Sequence, residues 1–311
     1  MAAGHAIRPS QRIAAPGLRF RPMSPPAVTV VVPTRGRAAY LEVTLESLRR
    51  QHTVSSYEVL VIDDGAGEAT RDVARQAGVR CISHGARRSL NAARNTGIEE
   101  AAAPLVAFVD DDVLVPPGWV DALLTGVARY PDAEVFGGPI RARFEGRAPR
   151  GCGRESPPIT TLDLGLEDRE TETVWGANFA LRRSAVERVG GFDERIVRPH
   201  GDEEEWLERL SASGGRIVYL AEAGLDHRRT EADSQLGRLA RAAYARGRGA
   251  RASDRRRGRA PGLGSELRVL LGCGWHTVRR ACPQGVIMGA HSAGRIIETL
   301  RPKPARDGER G

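Results

Sequence analysis

The 311-residue chain has a single lysine, Lys303, four cysteines and only 5% aromatic residues. The cysteines, at 81, 152, 273 and 282, show neither the close pairs of a zinc ribbon nor the density of a disulfide framework. Reduced thiols and a cytoplasmic setting are therefore expected. With lysine confined to position 303 there is no Gly-rich, Lys-bearing phosphate loop, which disfavours a nucleotidyltransferase built on one. No uncharged apolar run approaches the ~20 residues of a membrane-spanning helix. The longest one in the C-terminal third, residues 281–294, has 14. The first 26 residues carry four arginines and five prolines but no continuous apolar segment of the secretory kind, so a flexible lead-in is expected there.

What is present fits a soluble globular protein, with 41% hydrophobic and 28% charged residues. The net charge of +8 is unevenly placed. Residues 1–227 hold 28 basic against 32 acidic residues, and residues 228–311 hold 19 against 7. A nucleic-acid role would have to reside in that basic tail, whose only aromatics are Tyr244 and Trp275. Without a stacking platform, nucleic acid is a poor candidate partner. Two fates remain open for the tail: packing on the rest of the protein, or lying on an anionic membrane surface with Val286, Ile287, Met288 and Ile296 inserted.

Hydrophobic periodicity predicts alternating strands and helices from Ala27 onward. Strands are expected at 27–33, 57–64, 79–83, 104–112 and 134–140, with helices at about 38–50, 68–77, 90–102 and from 117. Continuous β-branched runs such as AVTVVVP suit a mostly parallel sheet flanked by helices, an α/β fold whose ligand groups lie at the carboxyl ends of strands. From Arg141 to Glu172 the periodicity fails and a long loop is expected. A strand near TVWGANFALRR, short helices at SAVERV and DEEEWLERL, and a last strand ending near His227 follow. Three segments result: a lead-in over 1–26, an α/β domain over 27–227 and a basic helical extension over 228–311.

Three adjacent carboxylates, Asp110, Asp111 and Asp112, end an apolar strand, where they repel one another unless a cation compensates them. Oxygen ligands of this kind suit Mn2+ or Mg2+; an acidic turn is the alternative. Asp63 and Asp64 end another strand of the same sheet. They suit hydrogen bonds to a base or a ribose, or else an Asp-Gly turn with a helix cap. Arg94, on the helix before the Asp110 strand, is placed either to meet a phosphate or base carbonyl or simply to face solvent.

In this order VTVVVPTRGR, VLVIDDGAGEAT, LNAARNTGIEEA, LVAFVDDDVLVPPGW, WGANFALRR, GGFDERI and GDEEEWLERLSASGGRIVYLAEAGLDH resemble the inverting members of glycosyltransferase family 2. The resemblance covers about residues 27–227. It implies a GT-A fold, a nucleotide-diphosphate sugar donor, a divalent metal, and a saccharide, lipid-linked or small-molecule acceptor. It makes Pro33, Thr34 and Arg35 the loop beside the nucleotide, Asp63 or Asp64 the partner of the base, and Arg94 the basic position before the metal strand. Asp110 and Asp112 match the DXD pair, Asp110 nearer the ribose and Asp112 nearer the metal, with Asp111 between them on the donor side. His227 matches a further metal or phosphate ligand, and Trp175, Gly176 and Asn178 fall in the acceptor-side segment. The family's catalytic acid pair falls on Asp202 and Glu203, with Glu203 in the place of the expected aspartate and Asp202 also suited to capping the helix. Spacing puts Glu203 on the inward stripe with Trp206, Leu207 and Leu210, and turns Glu205 to the far side.

Overall fold

The computed structural model describes residues 25–65, 67–146, 159–196 and 202–301, with Asp202 described by its backbone alone. The expected lead-in up to residue 24, Cys152 and Lys303 lie outside these residues. The chain opens with β1 (Val28–Thr34), α1 (Ala38–Arg49), β2 (Tyr57–Asp63), α2 (Glu68–Ala77), β3 (Arg80–Ser83), α3 (Leu90–Glu100) and β4 (Leu105–Val109). It continues with β5 (Val113–Leu114), α4 (Trp119–Arg129), β6 (Val135–Gly137), β7 (Ile140–Phe144) and β8 (Arg169–Glu170). Then come β9 (Asn178–Arg182), α5 (Arg183–Val189), α6 (Asp202–Ala212), β10 (Ile217–Tyr219) and β11 (Leu225–Arg229). Three helices close the described chain: α7 (Leu236–Arg256), α8 (Leu263–Arg280) and α9 (Pro283–Leu300).

Eight strands form one sheet in the order β3-β2-β1-β4-β9-β6-β10-β8. The first four are parallel and β9 runs against its neighbours β4 and β6. Every residue of β1 is buried, as a strand covered on both faces requires. Its alternate residues serve two apolar layers. Val28, Val30 and Val32 pack with Leu41, Leu45 and Leu48 of α1, whereas Val31 joins Phe108, Phe179 and Trp206 on the other face. A second sheet, β5-β11-β7, stands beyond the end of β4.

Three expectations are corrected. The strand expected over 104–112 stops at Val109, because the acidic residues leave the sheet in a turn before β5. The strand expected over 134–140 is two strands in different sheets, divided at Gly138-Pro139. The loop expected over 141–172 contains most of β7 and all of β8, and Leu162 bridges back to Ile140. IRARF does alternate, its arginines exposed and its other residues at least partly buried, and it pairs in parallel with β11, so a five-residue strand opens the stretch read as loop.

Asn178 knots this junction together. Its buried amide accepts from Trp119 Nε1 at 3.2 Å and donates to the carbonyls of Pro139 at 3.2 Å and Ala223 at 2.8 Å, tying β9 to α4 and to both loops beside β7 and β11. Asn178→Ala strands these buried partners and is expected to cost roughly 2–4 kcal/mol, read as a lower urea midpoint with an unchanged slope.

Candidate metal and donor site

The acidic turn is built from both sides. Thr44 Oγ1 donates to the Asp111 carbonyl at 2.8 Å and accepts from the Val113 N–H at 3.2 Å, so α1 fixes the backbone on either side of Asp112. Thr34, the last residue of β1, donates its hydroxyl to Asp111 Oδ2 at 2.6 Å. The turn then projects Asp112 toward β11. There His227 and Arg229, two residues apart on one face of the strand, both reach its carboxylate.

Asp112 is 2% exposed, and its two oxygens have different surroundings. Oδ2 takes Arg37 Nη2 at 2.6 Å together with Arg229. Oδ1 is buried without a hydrogen-bond donor and faces His227 Nε2 at 3.0 Å. His227 Nδ1 lies 3.1 Å from the Thr160 carbonyl and donates to it, so in a neutral ring Nε2 turns its lone pair toward Oδ1. A proton or a divalent cation relieves this meeting of two acceptors, and only the cation also engages the third member, Asp110. The ligand atoms of Asp110, Asp112 and His227 lie within 4.8 Å of one another. Two neighbouring ligands of an octahedral ion bound at ~2.1 Å are about 3.0 Å apart, the separation seen here between Oδ1 and Nε2. The residues present fit a divalent metal.

Charge is shared unequally among the three acids. Burial works against ionisation of Asp112, but His227 when it carries a proton on Nε2, together with Arg37 and Arg229, more than reverses it and holds the carboxyl well below the usual range. Burial, with Asp112 adding to it, raises Asp110 against the pull of His227, Arg94 and Arg37. Burial also pushes Asp111 up to about 7, although Arg37 Nη1 stands 2.9 Å from Oδ1.

The other predicted residues divide into groups. Asp63 and Asp64 are buried at the end of β2. Asp63 accepts from Ser83 Oγ at 3.1 Å, and Asp64 Oδ1 holds His84 Nδ1 at 3.0 Å and the Arg88 N–H at 2.8 Å. Neither caps α2, whose N-cap is Gly67. Pro33 is buried within β1, and Arg35 is exposed while Arg37, two residues on, enters the site. Arg94 is 2% exposed, so it does not face solvent. Its guanidinium lies over the rings of Phe179 and Phe192 and 3.6 Å from Glu203 Oε2. Glu203 Oε1 accepts from the Gly176 N–H at 3.1 Å. A side chain at position 176 would put its Cβ 2.1 Å from Arg94 Nη2, so glycine lets the Trp175–Asn178 turn pass that guanidinium without displacing it. Trp175 is half-buried beside it, and Asn178 is the framework residue described above. Glu205 pairs with Arg209 at 2.6 Å, away from Glu203. The side chain of Asp202 lies outside the described residues.

Arg37 and Arg229 are functional candidates beyond those expected from the sequence. The signal for Arg229 was its i+2 relation to His227 on one strand; Arg37 carried none beyond its nearness to Pro33-Thr34-Arg35.

Comparison with known proteins shows the family and the fold. Residues 29–190 match the glycosyl transferase family 2 profile, and the chain belongs to that family. It is 34% identical over 239 residues to validoxylamine A glucosyltransferase of Streptomyces hygroscopicus subsp. jinggangensis, a match covering 66% of this chain and 57% of that one. It is 32% identical over 222 residues to pre-mycofactocin glycosyltransferase of Mycobacterium tuberculosis, covering 67% and 45%. The chain thus spans about half the length of these relatives. In fold it resembles the mannosyltransferase PcManGT of Pyrobaculum calidifontis, solved with GDP-Man and Mn2+, with a TM-score of 0.61 at 18% identity over 91% of this chain and 89% of that one. The architecture is that of the GT-A glycosyltransferases.

If Asp112 is a ligand, titration of the chain with Mn2+, followed by the loss of the free-ion paramagnetic signal, shows saturable binding that Asp112→Asn weakens at least ~10-fold. A melting curve on the same sample checks the fold, and undiminished Mn2+ binding by a folded variant removes Asp112 from the site.

Proposed function

We propose that the chain moves a sugar from a nucleotide-diphosphate donor to an acceptor hydroxyl with inversion, by a single displacement assisted by a divalent metal. The observation that carries this reading is the cluster of Asp110, Asp112 and His227 beyond the end of β4, whose ligand atoms lie within 4.8 Å of one another. The candidate base, Glu203, accepts from the Gly176 N–H at 3.1 Å and stands 3.6 Å from Arg94.

Thr34, Asp63 and Asp64, at the carboxyl ends of β1 and β2, serve the nucleoside side of the donor. Asp110, Asp112 and His227 hold the metal, which when bound offsets the charge growing on the leaving diphosphate. Arg37 and Arg229, already at the edge of that trio, present guanidinium N–H groups to phosphate oxygens. On the opposite side, Glu203 takes the proton of the acceptor hydroxyl. The acceptor oxygen bonds to the anomeric carbon as the bond from that carbon to the phosphate oxygen breaks, and its electron pair departs with the nucleoside diphosphate. The Gly176 N–H and Arg94 hold the Glu203 carboxylate in place, and Trp175 and Gly176 form the acceptor side. A saccharide, a lipid-linked sugar or a small molecule supplies the hydroxyl. The cysteine spacing supports a cytoplasmic setting.

Glu203→Gln keeps an oxygen for the Gly176 N–H but cannot accept the proton. It is expected to retain donor binding and lower transfer by ~10²–10⁴-fold, measured as release of nucleoside diphosphate with acceptor present. Asp202→Asn and Glu205→Gln are the controls. Loss of turnover in Asp202→Asn, with Glu203→Gln near the original rate, moves the base one residue back.

A further inference from the structure

The last three helices are held to the rest of the chain on one side and bare on the other. Helix α7 docks on α6, where Ser253 Oγ donates to Glu204 at 2.6 Å and Arg257 pairs with Glu208 and, at 3.5 Å, with Glu204. Helices α7 and α9 pack backbone to backbone: a Cβ on Gly247 would sit 1.9 Å from the His291 carbonyl oxygen, and one on Gly294 2.2 Å from that of Tyr244. Ile287, one of the residues expected to insert into a membrane, is instead buried against Leu239 and Ala243. Helix α8 lies outermost. It turns Glu266 into an ion pair with Arg295 at 2.8 Å and sets Leu270, Cys273 and Thr277 against Gly285 and Gly289 of α9.

The outer side of α8 is apolar. Leu267, Leu271, Trp275 and Val278 are 43%, 74%, 70% and 82% exposed, and Leu263 precedes them on the same stripe. At 100° per residue these five fall within an arc of about 120°. Arg268 and Arg279 border that arc and Arg280 ends the helix. Among the described residues none of these three arginines has a carboxylate partner, in contrast to the paired arginines inside the bundle. No described helix is long and apolar enough to cross a membrane.

We propose that α8 is a membrane-surface helix that lies on anionic lipid. Its Leu267, Leu271, Trp275 and Val278 stripe enters the boundary between headgroups and acyl chains, and Arg268, Arg279 and Arg280 meet lipid phosphates. An exposed apolar arc with a tryptophan and unpaired arginines at its edge is the pattern of such helices. Charge selects lipid over a second copy of the chain, since two α8 faces brought together would oppose their unpaired arginines.

The test uses the full chain and vesicles of phosphatidylcholine, alone or with a quarter phosphatidylglycerol. The protein is expected to pellet with the anionic vesicles, with a blue shift of tryptophan emission, and to be released at least ~5-fold when salt is raised from ~0.05 to ~0.5 M. Leu271→Glu with Trp275→Glu, on exposed positions, is expected to abolish pelleting, whereas Val54→Glu, at an exposed position far from α8 in sequence, leaves it unchanged. Arg268→Gln with Arg279→Gln weakens pelleting without touching the apolar stripe, and carries the test alone if the first pair does not fold. Equal pelleting of the α8 variants and the original chain overturns the proposal. So does a vesicle-free dimer, seen by sedimentation, that the Glu variants dissolve while no form binds lipid.

Discussion

Asp112 is almost fully enclosed, and a carboxylate in that position without compensation would cost several kcal/mol. Its compensators come from far along the chain: Arg37 is 75 residues away and Arg229 is 117. The loop after β1, the turn after β4 and strand β11 must therefore converge before the charge is tolerable. This one requirement links the large sheet to the small one. It also explains why the acids leave β4 at Val109, for a carboxylate inside the strand would point into one of the two apolar layers.

A second buried charge draws on rings as well as on an ion partner. Arg94 pairs with Glu203 and also stands among rings, over Phe179 and Phe192, while Phe108 stacks on Phe179 at 4.9 Å and Phe192 lies 5.1 Å from Trp206. Ring faces are electron-rich, so this cluster supports a guanidinium while remaining apolar to the rest of the core. Because Trp206 belongs to α6, packing of the aromatic cluster also sets how α6 presents Glu203. The position of the candidate base is thus fixed by core packing as well as by its own ion pair.

These two devices differ in how far the sequence reveals them. Strands β1, β2 and β4 and helices α1 to α4 are legible because they bury a continuous run or a stripe, and the acid clusters are legible because they end such runs. The inward register of Glu203 follows from Trp206, Leu207 and Leu210. What escapes is whatever depends on partners distant in sequence. Arg37 and Arg35 are alike as residues, and only the folded turn decides that Arg37 meets Asp111 and Asp112. Asn178 reads as a candidate ligand beside Trp175, yet its amide is consumed by Trp119, Pro139 and Ala223, which no local pattern connects to it. IRARF carries the period of two of a half-buried strand, but over only five residues at the head of a stretch rich in Arg, Gly and Pro.

The basic tail holds two kinds of arginine, those paired inside the bundle and those on α8. Its apolar core consists of Leu239, Ala243 and Ile287, too little to hold three helices by hydrophobic burial alone. Close glycine contacts and a buried ionic network make up the difference: Glu266 lies between Arg251 and Arg295, Asp254 takes Arg295 at 2.7 Å, and Glu298 takes Arg248 at 3.2 Å. Arg248, Arg251 and Arg295 are matched by these acids, which leaves much of the surplus of 19 basic over 7 acidic residues to appear elsewhere. On α8 it appears beside leucines and a tryptophan that also lack cover. A bundle held together by ion pairs does not need those apolar side chains for its own cohesion, and their exposure next to unmatched positive charge is consistent with a surface shaped for something outside the chain.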